Sequence, residues 1–103
     1  MPTRQPQISF QQLRNLTEQW QWRDSTGATR TGFNPPADAK DKRQKPYYVR
    51  YVTSKGIVEE GEVITLKVFP RLHQRMIRFN SGQVRRIRDY LIIEVDGMRV
   101  VTH

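Results

Sequence analysis

The run Leu91-Ile92-Ile93-Glu94-Val95-Asp96-Gly97-Met98-Arg99-Val100-Val101 decides the fold class of this chain. Apolar residues alternate on both sides of Asp96-Gly97, a dipeptide suited to a two-residue turn with positive φ at both central positions. Such a turn pairs Val95 with Met98 and Ile93 with Val100. It also sets Glu94 opposite Arg99 as a cross-strand ion pair on the other face. A β-hairpin therefore spans residues 91–101.

The same signals recur toward the N-terminus. Arg75 to Phe79 and Gln83 to Arg88 flank Asn80-Ser81-Gly82 as a second hairpin. Tyr47 to Thr53 reads as a strand that ends in the turn residues Ser54-Lys55-Gly56. Ile57 to Phe69 is long for one strand, and Gly61 after Glu59-Glu60 breaks its alternation, which predicts a bulge or bend at that point. Ile64, Leu66 and Val68 then alternate with Thr65 and Lys67, the pattern of a half-buried strand. Pro70 ends the run, and Arg71-Leu72-His73-Gln74 forms a polar connection. Five or six short strands between residues 46 and 102, one of them bent, favour closure into a small barrel over an open sheet with exposed edges.

This pattern resembles the SH3-like small β-barrel modules over about residues 46–102. The resemblance rests on strand number and spacing, and on the short Arg88-Asp89-Tyr90 link, similar to the tight single turn those barrels place between their fourth and fifth strands. It implies a mainly β, SH3-like barrel of five to six strands at residues 46–103. In general character, with no motif to carry the likeness, the chain also resembles small proteins of phages or mobile elements.

Before Lys45-Pro46 apolar residues are sparse. Ser9-Phe10-Gln11-Gln12 reads as a capping box, with Ile8 and Leu13 spaced as a hydrophobic staple, so a helix is expected at about residues 9–20. Phe10, Leu13, Leu16 and Trp20 form its apolar stripe. A helix of ~11 residues is marginal alone, so the stripe must dock, either on the β unit or on a protein partner. Trp20-Gln21-Trp22 could begin a short extended segment. Asp24 to Lys45 holds Gly27, Gly32, Pro35 and Pro36, with Phe33 its one large apolar residue, and is expected to be an irregular, flexible basic arm completing an N-terminal region of residues 1–45.

Among 103 residues, 18 are Lys or Arg and 10 are Asp or Glu, a net charge of +8, and 13 of the cations are Arg. That balance points to polyanionic partners. The chain has no Cys, which excludes disulfides, thiolate metal sites and thiol nucleophiles. No apolar run approaches the ~18 residues that span a bilayer, so no membrane partner is expected and a cytoplasmic location is, or a virion under an assembly role.

Between Arg71 and Arg88 stand six Arg (Arg71, Arg75, Arg78, Arg85, Arg86 and Arg88) and no acid. With a two-residue turn Arg78 faces Arg85 and Arg75 faces Arg88; with a three-residue loop Arg78 faces Val84 and Arg86 faces Met76. Either register yields a positive ribbon, and guanidinium forks match phosphate oxygens. Three readings are open: contact with DNA or RNA phosphates assisted by Lys40, Lys42, Arg43 and Lys45, contact with an acidic protein surface, or neutralisation within the fold by Glu59, Glu60, Glu62, Asp89 and Glu94. Tyr47, Tyr48, Tyr51, Phe79 and Tyr90 could stack on bases, though most aromatics in a unit this small pack in the core.

Catalysis finds little material. His73 and His103 are the two histidines, and no phosphate-loop, dinucleotide or calcium-loop pattern occurs. The expectation is a non-enzymatic nucleic-acid-binding accessory protein of weak sequence preference, with neither cofactor nor metal. The alternative is a protein-interaction or assembly component, for example of a phage particle, that uses Phe10, Leu13, Leu16, Trp20 and the arm. Either leaves homo-oligomerisation open.

Overall fold

Residues 6–101 are described by the computed structural model, and they form a mainly β chain of ten strands and one α-helix. The hairpin at the C-terminal side is β9 (Ile92–Val95) and β10 (Met98–Val101), with Val95 opposite Met98 and Glu94 opposite Arg99. Asp96 and Gly97 both have positive φ, 50° and 78°, as the two-residue turn requires. The ion pair differs from expectation. Glu94 lies 3.8 Å from Arg50 rather than bridging to Arg99, because β9 is also paired on its other side with β5 (Tyr47–Val52), where Arg50 is its register partner.

From β5 the chain runs antiparallel through β6 (Val58–Phe69), β7 (Gln74–Phe79) and β8 (Val84–Arg88), with 3-10 turns at Pro70–Leu72 and Asp89–Leu91. A short β1 (Gln7–Ser9) adds in parallel outside β10, with Ile8 opposite Val100. The order is β1-β10-β9-β5-β6-β7-β8. Among the described residues this ladder is open, with β1 and β8 at its edges, whereas strand count had favoured closure.

Strand β6 departs from its predicted pattern in two ways. Gly61 keeps an unbroken register opposite Val49, and the shift falls instead between Thr65 and Lys67. Gly61 is needed for space: a Cβ there would sit 2.9 Å from the Phe79 ring. The buried side chains are Val63 and Thr65, not Ile64 and Leu66. Thr65 can be interior because its hydroxyl is hydrogen-bonded to the Tyr47 hydroxyl at 2.7 Å, which satisfies both buried groups. Around them Val49, Tyr51, Ile77, Ile87, Ile92 and Val95 complete the core of the sheet.

Helix α1 (Phe10–Thr17) begins where expected. Ser9 Oγ accepts from the Gln12 N–H, and Gln12 Oε1 accepts from the Ser9 N–H. The helix stops three residues short of the predicted end, and Trp20 belongs to a strand. Leu13 is fully buried with Phe10 and Leu16 packed around it, so the stripe docks on this chain's own sheet.

The segment expected to be an irregular arm is mostly hydrogen-bonded. β2 (Trp20–Arg23) is flanked by β3 (Thr29–Gly32) and β4 (Lys40–Gln44) in a separate antiparallel sheet. The Trp22 ring lies against Gly32, where a Cβ would come within 3.1 Å of it. The β2–β3 turn is closed by Asp24, whose carboxylate accepts from the Thr26 N–H and hydroxyl, the Ala28 N–H and Arg30 Nε. Those donors, Thr26 and Arg30 foremost, hold its carboxyl well below the usual range. This sheet makes only sparse contact with the larger one. Accordingly the radius of gyration, 14.9 Å, exceeds the ~13 Å of a compact chain this long.

Candidate functional site

The β7–β8 hairpin adopts the three-residue loop. The Phe79 N–H donates to the Gln83 carbonyl at 2.8 Å, and Gly82, at φ +93°, completes the loop by donating to the Phe79 carbonyl. Arg78 is therefore opposite Val84, Met76 opposite Arg86 and Gln74 opposite Arg88, while Arg75 faces Ile87 and Ile77 faces Arg85. Side chains alternate across the sheet, so this register divides the five arginines of β7 and β8 between two faces.

The inner face takes Arg75, whose side chain is 4% exposed. Its Nε donates to Asp89 Oδ1 at 2.8 Å, Nη2 reaches Asp89 Oδ2 at 3.4 Å, and Nη1 donates to the Thr17 hydroxyl. Thr17 in turn donates to the Leu13 carbonyl. Burial alone would depress this guanidinium, but the hydrogen bonds and charge of Asp89 outweigh it, and its proton is held more firmly than usual. Glu18, beside it, is pushed upward by burial, against the pull of Arg75 and Arg14. Arg75 is thus a structural cation that pins the last turn of α1 to β7. Arg85 lies 3.8 Å from Glu59, whose carboxylate also accepts from the Tyr51 hydroxyl. Burial first, and then that carboxylate, push the Tyr51 phenol well above its ordinary range.

The outer face collects the others. Register places Ile64, Arg78 and Val84 in one row, Lys67, Met76 and Arg86 in the next, and Phe69, Gln74 and Arg88 in the third. The guanidinium of Arg86 lies over the Phe69 ring at 4.0 Å and donates to Gln74, and the Lys67 ammonium is 5.2 Å from the same ring. None of Lys67, Arg78, Arg86 and Arg88 forms an ion pair among the described residues. The three rows contain no acid; Glu62 lies beyond them on β6, opposite Tyr48.

Arg71 is exposed on the 3-10 turn that precedes β7, and Lys42 and Arg43 are exposed on β4 in the small sheet. Lys45 is half-buried in the link to β5, with its N–H bonded to the Gln19 carbonyl. Tyr90, 57% exposed, packs edge-on against Phe10 at 4.9 Å. Sequence reasoning missed Lys67 and Phe69. The register shift at Leu66 carries them onto the arginine face, and the simple alternation of Ile64-Thr65-Leu66 gave no sign of it.

No helix among the described residues is long and apolar enough to cross a membrane. No protein-family model matches the chain, and neither the curated proteins nor the solved structures yield a match.

Proposed function

We propose that this chain is a nucleic-acid-binding accessory module that holds phosphates on the outer face of β6–β8. The observation behind this reading is the convergence of Lys67, Arg78, Arg86 and Arg88 on three adjacent strands with no counterion among the described residues. Arg86, seated 4.0 Å over Phe69 and anchored to Gln74 through Nε, is pre-oriented, so less side-chain freedom is lost on contact. Phosphate contacts position a protein without reading bases, so sequence preference is weak. An SH3-like barrel module is part of the same proposal, supported by the order β9-β5-β6-β7-β8, a bulged β6 and the 3-10 turn ahead of β9. The assembly alternative through α1 has less support, since Leu13 is buried in this chain's own core.

Four neutralised phosphates give a slope of log K against log salt of about −3 to −4. The test is a gel-shift titration with DNA and RNA oligonucleotides at several salt concentrations. The Arg78→Ala, Arg86→Ala, Arg88→Ala triple variant should lose most of the slope and most of the retention. Unchanged affinity in that variant, while it remains folded by circular dichroism, overturns the proposal.

A further inference from the structure

Strand β8 is the edge of the large sheet. Phe79 and Gln83 are a hydrogen-bonded pair, as the Phe79 N–H to Gln83 carbonyl bond shows, and at the other end the Asp89 N–H donates to the His73 carbonyl. Antiparallel ladders alternate bonded and non-bonded pairs, so Arg85 and Ile87 spend their backbone groups on β7. The N–H groups of Val84, Arg86 and Arg88 and the carbonyl of Arg86 then point along the free edge; the Val84 carbonyl is taken by Arg85 Nη1. This edge borders a groove of about 500 Å³ whose far wall is the β5–β6 turn at Thr53–Ile57. Lys55, Arg85, Arg86 and Arg88 line it against a single acid, Glu59, with Tyr51, Ile87 and Leu91 as its apolar surface.

We infer that the groove takes an extended acidic peptide segment from a protein partner, which adds as a further strand to β8. Unpaired edge donors and acceptors supply the main-chain recognition. The alternation of β8 dictates the ligand's pattern: carboxylates at every second residue, on the side of Arg86 and Arg88, with apolar residues between them facing Ile87 and Leu91. A second copy of this chain does not fit, because β8 against β8 would oppose arginine to arginine. This inference goes beyond the phosphate-binding face, which shares Arg86 and Arg88 with the groove but also needs Arg78, which does not line it.

The probe is a blocked peptide of alternating Glu and Val, titrated against the full chain, with the matching Lys-Val peptide as control. Arg86→Pro removes an outward N–H and leaves the β7 bonds of its neighbours in place. It should bind the Glu-Val peptide roughly tenfold more weakly than Arg86→Gln, which loses the charge alone. Arg78→Ala should leave peptide binding unchanged while weakening nucleic-acid retention, so the two proposals fail separately. Should Arg86→Pro not fold, amide exchange in the natural protein serves instead: the Val84, Arg86 and Arg88 amides should slow on adding peptide. Absence of Glu-Val binding, equal affinity for the Lys-Val peptide, equal affinities of the Pro and Gln variants, or no change at those amides overturns the inference.

Discussion

Replacing Asp89 by Ala strips the carboxylate from Arg75, a guanidinium only 4% exposed, and leaves it the hydroxyls of Thr17 and Tyr47. Removing one partner of a buried pair costs about 3–5 kcal/mol, and the attraction of the neighbouring Glu18 carboxylate, which remains, sets the loss toward the lower end of that range. A domain of this length has an unfolding entropy near 0.2 kcal/mol per kelvin, so the melting temperature should fall by about 14–23 °C. Replacing both members, Arg75→Met with Asp89→Leu, removes the stranded charge and should return stability to within about 2 kcal/mol of the natural chain. Urea unfolding followed by far-ultraviolet circular dichroism on the natural chain, Arg75→Met, Asp89→Leu and the double variant measures the coupling directly, with Asp89→Ala unfolded alongside them. A loss under about 1 kcal/mol for Asp89→Ala would refute the reasoning. It would mean that solvent reaches the guanidinium, and that α1 is held to β7 by Leu13 and its neighbours alone.

Gly61→Ala should destabilise by about 1–3 kcal/mol through overpacking, since its methyl group would meet the Phe79 ring at 2.9 Å; denaturant titration reads it. Ser9→Ala should cost about 1 kcal/mol by removing the helix cap, seen as a lower urea midpoint with an unchanged slope. Glu18 has its carboxyl raised by burial, so the folded state binds that proton more tightly than the unfolded chain. The associated stability is full below the ordinary Glu value and is lost as pH rises through the folded one. Glu18→Gln should therefore match the natural chain in acid and grow progressively more stable than it toward neutral pH, as thermal melts across pH 3–7 would show.

The second half of the fold was legible because its signals are local. Asp96-Gly97 fixed the hairpin register, and the bounds of β5 to β10 follow alternation and turn residues to within one residue. What escaped prediction depends on distant partners. Thr65 looks like an outward residue until Tyr47 supplies its hydrogen bond, and the register shift that follows it moves Lys67 to the arginine side. Arg75 carries a charge, which by itself argues for exposure, and only the fold brings Asp89 and Thr17 to it. The small sheet was hidden because its strands are polar and the Trp22–Gly32 contact that orders it links residues of opposite propensity. β1 is three residues long and parallel, too short to show a period.

The parallel pairing of β1 with β10 sets residues 7 and 99 side by side, and this orders events during synthesis. The eight-residue helix is too short to persist alone, and β1 has no edge to join until residue 101 has emerged. Until then the apolar groups of Ile8 and Leu13 await a surface made at the other end of the chain. Contacts this remote in sequence slow folding, so closure of that edge should be the last step, and chains stalled before β10 should hold their N-terminal segment open to proteases.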